Sequence, residues 1–202
     1  MFLIWVNAML RVFVLILFFG LAGCSERTPP AFRNTDISGA EFGRSLALKD
    51  HHGKPASLAD FQGKAVVIFF GYTSCPDVCP TTLARFAEVM KQLGSDAGRV
   101  QVLFVTIDPK RDTPEKLAAY VPWFNPSFIG LYGDMAATEA AAREFKVFFA
   151  RSKGSAGMGY VIDHSAGAYI FDPAGKIRLY VKDDTSVDAI VSDLKRVLHA
   201  AS

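Results

Sequence analysis

The sequence has almost no excess of charge, few cysteines, and no internal repeat or low-complexity tract. Lysine and arginine together number 22 and aspartate and glutamate 20, which gives a formal net charge of +2 at pH 7. Because no strong positive charge is present, nucleic acid is not expected as a partner. Half of the 202 residues are apolar, which suits one globular domain with an appendage.

The appendage is the N-terminus, where the apolar run "VFVLILFFGLA" occupies 12–22. This run is short for a membrane span, which needs about 20 apolar residues, but it fits the core of a signal peptide. The overlapping segment "LAGC" at 21–24 is similar to the bacterial lipobox, in which cleavage precedes the cysteine and that cysteine is lipidated. We therefore predict that Cys24 carries a lipid.

This assignment divides the chain into a lipoprotein signal peptide (1–23), a membrane-proximal linker (24–41) and one globular domain (42–202). The alternative is an uncleaved membrane anchor, but it would leave Arg11 unpaired near the middle of the span, which is costly. Either arrangement puts the domain outside the cytoplasm. The lipobox predicts a membrane-anchored lipoprotein on the periplasmic side of a bacterial cell envelope.

Strands and helices alternate along the rest of the chain. The apolar runs 64–70 and 100–108 are rich in β-branched and aromatic residues, which is typical of strands buried on both faces. One helix is predicted to begin near Pro80 and another at Pro114, with Thr113 as its cap. The further predicted elements are two short strands within 45–61, a strand at 127–132, a helix at 135–147, a hairpin of 168–172 and 176–181, and a last helix from Val187 to Leu198. This order predicts an α/β domain with a central mixed sheet flanked by helices.

Cys75 and Cys79 follow the first buried strand and precede a helix, a position where open α/β sheets usually place ligands and chemistry. Residues four apart in a helical turn lie on one face, so the two sulfurs can converge. The helix N-terminus lowers a cysteine pKa, whereas the charge of Asp77 acts against it. We predict a reactive, accessible pair that can form a disulfide, and we disfavour a buried structural pair because prolines flank both cysteines.

The residues alone leave redox chemistry and metal binding open. Two thiolates suit Cu(I), but they fall short of structural zinc, which normally takes four protein ligands. A third ligand would decide between the alternatives, and the chain has four histidines. His51 and His52 lie in a polar turn and His199 near the chain end, so all three are expected to be exposed. His164 precedes a predicted strand, and a lone histidine there is more often structural than a ligand.

Three separated motifs nevertheless resemble those of the Sco/SenC proteins, which are thioredoxin-fold copper-binding assembly factors for cytochrome c oxidase. They are "FFGYTSCPDVCPTTL" at 69–83, "IDPKRDTPEKL" at 107–117 and "DHSAGAYIFDPAGKI" at 163–177. The segment at 48–70 is similar as well, so the resemblance covers nearly the whole domain from about residue 42.

The resemblance implies a thioredoxin-like fold with an N-terminal β-hairpin extension, in which Cys75, Cys79 and His164 bind one copper ion. It further implies a copper chaperone that delivers copper to, or matures, the binuclear copper site of cytochrome c oxidase subunit II. A periplasmic thiol reductant or another copper chaperone would be a second partner. We interpret Asp108 and Asp163 as ordinary structural carboxylates rather than parts of the site.

A tethered thiol–disulfide oxidoreductase is the main alternative, with Cys75 attacking and Cys79 resolving. Such enzymes use two intervening residues between the cysteines and a cis-proline before the penultimate strand. Here three residues intervene, and no proline occurs between Pro126 and Pro173. A reductase that acts on the thiols of the oxidase copper site, and a non-catalytic redox sensor, both stay open. The thioether of Met158 is a conceivable transient ligand, although a packing role is favoured.

Overall fold

The computed structural model describes residues 31–154 and 159–199. The predicted signal peptide (1–23), the lipidation site Cys24, the first part of the linker and Met158 lie outside the described residues. Among the residues that are described, no helix combines the length and the apolar character that crossing a membrane requires.

Ten strands and four α-helices make up the described part of the chain. The strands are β1 (Thr35–Asp36), β2 (Leu48–Asp50), β3 (Pro55–Ala56), β4 (Ala65–Gly71), β5 (Val100–Thr106), β6 (Ile129–Tyr132), β7 (Phe149–Lys153), β8 (Tyr160–His164), β9 (Ala168–Phe171) and β10 (Ile177–Val181). The helices are α1 (Val78–Leu93), α2 (Pro114–Phe124), α3 (Met135–Glu144) and α4 (Val187–His199). Two short 3-10 helices, Leu58–Phe61 and Gly94–Arg99, lie between them.

Eight strands form one sheet in the order β1-β10-β9-β4-β5-β6-β2-β3. The central strands β4, β5 and β6 are parallel, while β9 pairs with β4 in the antiparallel sense. This arrangement confirms the predicted α/β domain with a central mixed sheet. The predicted N-terminal hairpin is confirmed too, since Leu48 of β2 pairs with Ala56 of β3.

The core is centred on β4 and β5, in which all seven residues of each strand are buried. Parallel strands covered on both faces read as continuous apolar runs, and this is the pattern by which they were predicted. Strand β4 pairs with β9 through Phe69 and with β5 through its C-terminal residue, Gly71, so it is held on both sides along most of its length. The chain leaves the sheet at this residue and enters the segment that carries both cysteines.

Helix α1 begins at Val78, two residues before Pro80, so Cys79 lies in its first turn. Proline is tolerated there because the first-turn N–H groups have no partner within the helix. The predicted cap of α2 is confirmed, since the Thr113 side chain accepts a hydrogen bond from the backbone N–H of Lys116 at 3.3 Å. Helix α3 ends at Glu144, earlier than the predicted residue 147.

Strands β7 and β8 were not predicted. They pair in antiparallel fashion as a separate two-stranded sheet, which we call the His hairpin. The Gly/Ser-rich sequence of 151–159 is typical of a loop, and His164 was predicted to precede a strand rather than to lie in one. Instead, Arg151 pairs with Ile162, and His164 is the last residue of β8, opposite Phe149.

Candidate metal centre

Cys79 lies beneath the end of β4 and is completely buried. A Cβ atom at Gly71 would lie 2.8 Å from the Cys79 Sγ, closer than such contacts occur. Only a glycine at the end of β4 therefore leaves room for this sulfur. The expectation that both cysteines are accessible is wrong for Cys79, because α1 begins early enough to place it against the core rather than on a loop.

Cys75 lies on the segment between β4 and α1, and it is partly exposed. Its backbone N–H donates a hydrogen bond to the carbonyl of Tyr72 at 3.2 Å, which turns the chain back toward the helix. The two cysteines are therefore inequivalent, with one sulfur beneath the sheet and one at the surface. We call residues 71–79 the Cys corner.

His164 reaches the Cys corner because of the alternation of side chains along β8. Successive residues of a strand point to opposite faces, so Tyr160, Ile162 and His164 share one face. Ile162 on this face is buried, and its backbone N–H donates a hydrogen bond to the Tyr72 hydroxyl at 3.1 Å. Asp163 belongs to the other face and is exposed.

The imidazole of His164 is oriented by a backbone carbonyl. Its Nδ1 lies 2.9 Å from the carbonyl oxygen of Ser165, which can only accept a hydrogen bond. The proton of the neutral ring is therefore on Nδ1, and the lone pair is on Nε2. Nε2 lies 3.5 Å from the Sγ of Cys79, so the unprotonated nitrogen faces the cysteine pair.

The two sulfurs of Cys75 and Cys79 and a ring nitrogen of His164 all lie within 4.8 Å of one another. Metal–ligand bonds to sulfur and nitrogen are about 2.0–2.3 Å long, so ligand atoms on opposite sides of one ion are about 4.3 Å apart. The three donors therefore fit around a single soft metal ion. The hydrogen bond at Nδ1 is the type of second contact that fixes the tautomer of a metal-binding histidine.

The cysteine pair shares a proton. The Cys79 thiol donates a hydrogen bond to the Cys75 sulfur, and this lowers the pKa of Cys75 to about 3. The same shared hydrogen bond and burial raise the pKa of Cys79 far above that of an ordinary thiol. At neutral pH the pair therefore consists of a Cys75 thiolate and a Cys79 thiol.

Residues 34–199 match the protein family described as SCO1/SenC. The chain belongs to the SCO1/SenC family.

Individual SCO1/SenC proteins are similar along most of the described domain. The mitochondrial SCO2 homolog of Bos taurus is 32% identical over 180 residues, which cover 88% of this chain and 66% of the bovine protein. The chain thus spans slightly less than two thirds of the length of that relative. Among solved structures, Bradyrhizobium japonicum ScoI with copper bound is 36% identical, with a TM-score of 0.71 over 79% of this chain and 100% of the other.

The apo Sco1 protein of Thermus thermophilus is 37% identical, with a TM-score of 0.74 over 83% of this chain and 98% of its own. These likenesses confirm the thioredoxin-like fold that the sequence motifs predicted. They also show that relatives of this SCO1/SenC protein have been solved both with copper and without it.

A cleft of about 330 Å³ leads to the donor atoms of this SCO1/SenC protein. Its walls include Tyr72, Cys75 and Asp77 on one side and Asp163 and His164 on the other. Cys79 does not line the cleft, in agreement with its burial. Two of the three donors are thus reachable from outside, and the third lies behind them.

Asp108 is fully buried and connects the His hairpin to the segment that follows β5. One of its oxygens accepts a hydrogen bond from the Tyr160 hydroxyl at 2.7 Å, and the other pairs with Arg111. The Arg111 guanidinium also donates to the Tyr160 carbonyl at 2.9 Å and lies 3.7 Å from the centroid of the tyrosine ring. Neither Asp108 nor Asp163 belongs to the group of three donors.

The other histidines lie away from this group. His52 and His199 are exposed, as expected, but the expectation of exposure is wrong for His51. His51 is buried, and its Nδ1 accepts a hydrogen bond from the backbone N–H of Gly130 at 2.9 Å. Burial and the neighbouring His52 lower the pKa of His51, so the ring is neutral and structural.

Three residues that position the donor side chains were not predicted from the sequence. They are Gly71, Tyr72 and Tyr160, and none of them is itself a donor. The sequence signal for the His hairpin was the period-two spacing of Tyr160, Ile162 and His164, which is typical of one face of a strand. Ile162, in the middle of this face, is buried. Only a few residues carry this pattern, and the adjoining Gly/Ser-rich segment obscured it.

Proposed function

We propose that this protein is a copper chaperone that binds one copper ion through Cys75, Cys79 and His164. It delivers the ion to, or matures, the binuclear copper site of cytochrome c oxidase subunit II. The observation that carries the proposal is the convergence of these three donor atoms within 4.8 Å, in a chain whose family includes proteins solved with copper bound.

The donor set suits copper in both oxidation states. Two thiolates are soft ligands of the kind that Cu(I) prefers, and a neutral imidazole suits copper in either state. Together they surround the ion with three ligands and a net negative charge from the sulfurs. The structure supports such binding through a Cys75 sulfur that is already deprotonated and a His164 Nε2 that already presents its lone pair.

Delivery requires that copper leave as readily as it enters. Cys75 and His164 lie beside the open cleft, so a ligand from a partner protein can approach the ion from that side. Lipidation of Cys24 would hold the domain at the periplasmic face of a membrane. This tether would raise its local concentration near a membrane-bound oxidase without adding any direct contact.

A second function is favoured by the state of the thiols. A partly exposed thiolate at Cys75 beside a protonated Cys79 is the arrangement of an attacking and a resolving cysteine. The protein would then reduce the cysteines of the oxidase copper site, with a periplasmic reductant restoring its own thiols. Copper loading needs the same reduced state, so the two functions are compatible.

X-ray absorption of the copper-loaded, reduced protein tests the proposal directly because it identifies the neighbours of the ion. We expect two sulfur neighbours and at least one nitrogen neighbour, with one sulfur lost in Cys75→Ser and no change in the control His199→Ala, whose histidine is exposed. A copper ion without sulfur neighbours would overturn the chaperone proposal. Rapid turnover of insulin disulfides by the copper-free protein would favour the oxidoreductase function instead.

A further inference from the structure

The carboxylate of Asp112 is buried without being part of the metal centre. The residue is 1% exposed, and it lies on the segment between β5 and α2. Burying a charged carboxylate is costly unless hydrogen bonds compensate for the lost water. The role of Asp112 is therefore expected to follow from the groups that its two oxygens bind.

Both oxygens of Asp112 bind the Cys corner. Oδ2 accepts a hydrogen bond from the backbone N–H of Thr73 at 3.0 Å, and Oδ1 accepts one from the Thr73 hydroxyl at 2.6 Å. Oδ2 also accepts a hydrogen bond from the hydroxyl of Thr106, the last residue of β5, at 2.6 Å. The carboxylate thus holds both the backbone and the side chain of a residue two positions before Cys75.

A neighbouring lysine extends the same attachment. Lys116 Nζ lies 3.8 Å from Asp112 Oδ1 and donates a hydrogen bond to the Ser74 hydroxyl at 3.1 Å. The two residues that separate Tyr72 from Cys75 are therefore both bound by side chains from 112–116. Tyr72, in turn, accepts the hydrogen bond from Ile162 that holds the His hairpin.

We propose that Asp112 is a positioning residue that holds the Cys75 segment at the distance from Cys79 and His164 that copper binding requires. This inference rests on the proposed copper site and deepens it. Asp112 acts through Thr73 and does not touch the ion. Residues that orient ligands from outside the coordination sphere typically change metal affinity by about 10–100-fold when they are substituted.

The negative charge of Asp112 could also affect copper binding, in the direction opposite to its effect on the position of Cys75. A buried negative charge opposes the formation of thiolates nearby, and Asp112 is among the groups that raise the pKa of Cys79. If the charge were the main effect, Asp112→Asn would strengthen copper binding. If position is the main effect, the same substitution weakens binding, because the amide has one acceptor oxygen where the carboxylate has two, and because the attraction between the carboxylate and Lys116 is lost.

The test compares Asp112→Asn with Thr73→Val, which removes the hydroxyl and leaves the charge in place. Thr73→Ser retains the hydroxyl and serves as the rescue. Asp172→Asn is the matched control, since Asp172 is also buried but follows Phe171, which pairs with Val66 near the other end of β4. Circular dichroism first establishes that each variant is folded, and Thr73→Val decides the question should Asp112→Asn fail to fold.

Two quantities are measured on the full chain. In competition with a Cu(I) chelator, we expect about tenfold weaker binding for Asp112→Asn and Thr73→Val, and unchanged binding for Thr73→Ser and Asp172→Asn. In copper-free protein equilibrated with glutathione, glutathione disulfide takes two electrons and Cys75 and Cys79 form a disulfide. The equilibrium constant for this reaction should fall by about tenfold in the same two variants because their thiols are less well aligned.

Each result either supports or overturns the inference. Copper binding that stays the same or becomes tighter in Asp112→Asn, together with an unchanged thiol equilibrium, contradicts a positioning role. A wild-type protein that binds no copper contradicts the proposed function instead, while the glutathione measurement still tests whether Asp112 positions Cys75.

Discussion

The two parts of the candidate metal centre are supported by different kinds of structure. The Cys corner follows β4, a strand that is paired on both sides and buried along its whole length. The His hairpin is a separate two-stranded sheet whose strands are exposed at several positions. An isolated hairpin is marginally stable, so its position depends on a few side-chain contacts with the body of the domain. One part of the centre is built into the core, and the other is attached to it.

This difference implies that the two parts respond differently to substitution. A change in the Cys corner disturbs the packing of the core as well as the donors, and should affect stability and copper binding together. A change in the His hairpin should affect copper binding with little loss of global stability, because such attached elements open locally at low cost.

The largest effect is expected for Gly71→Ala in the Cys corner. The new methyl group would lie 2.8 Å from both Cys79 Sγ and a ring carbon of Phe104. Overpacking of this kind costs about 1–3 kcal/mol, and displacement of the sulfur should weaken copper binding by about 100-fold. Urea unfolding of the copper-free protein and chelator competition measure the two effects. The control is Gly98→Ala, whose methyl group would meet nothing within 4 Å.

Equal stability and equal copper affinity in Gly71→Ala and Gly98→Ala would contradict the tight packing described for the Cys corner.

His164→Ala should have the next largest effect and should separate the two quantities. Loss of the imidazole removes one of three donors, so binding should weaken by about 10–100-fold, with Cu(II) affected more than Cu(I) because sulfur ligands alone suit Cu(I). The free energy of unfolding should hardly change, since the side chain is only partly buried. Chelator competition in both oxidation states provides the measurement. Wild-type affinity in both states would refute the three-donor site.

The pH dependence of copper binding concerns the shared proton of the Cys corner. Cys75, with a pKa of about 3, is already a thiolate, whereas the raised pKa of Cys79 means that this thiol must lose a proton when a metal binds. A higher pH reduces proton competition, so affinity should rise about tenfold per pH unit between about pH 7.5 and 9. Proton release in weakly buffered solution should be about one per ion. Release of two protons would mean that Cys75 is also protonated.

The smallest effect is expected for Tyr160→Phe, which loosens the His hairpin without touching a donor. The substitution removes the 2.7 Å hydrogen bond to buried Asp108 and should cost about 1–3 kcal/mol, mostly as local opening. Hydrogen exchange at the backbone N–H of Ile162 should become faster, and copper affinity should fall by a few-fold. Tyr132→Phe, on β6, is the control. Unchanged exchange at Ile162 would show that Asp108 does not hold the hairpin.

The same contrast explains how much could be predicted from the sequence. The Cys corner could be predicted because continuous apolar runs identify β4 and β5 and a proline indicates the start of α1. The burial of Cys79 could not be predicted, because it depends on whether the helix begins at Val78 or at Pro80 and on the space that Gly71 leaves. Such details arise from packing, which periodicity does not encode.

The His hairpin was missed for another reason. Its strands are short and partly polar, and their pairing depends on contacts of Tyr160 and Ile162 with Asp108 and Tyr72, far away in the sequence. His164 was identified through the resemblance to Sco/SenC motifs and not from its own surroundings. The burial of His51 was missed similarly, because its partner, the backbone N–H of Gly130, lies on another strand.

For the proposed copper ion, the unequal exposure of the two sulfurs would set the order in which its ligands are exchanged. A donor from a client protein could displace Cys75 or His164 at the mouth of the cleft, but it could not reach the side of the ion that faces Cys79. The buried sulfur of Cys79 would consequently be the last ligand to dissociate from the copper ion. Copper would then move in one direction, from Cys79 toward the mouth of the cleft. During this transfer both proteins would supply ligands to the ion.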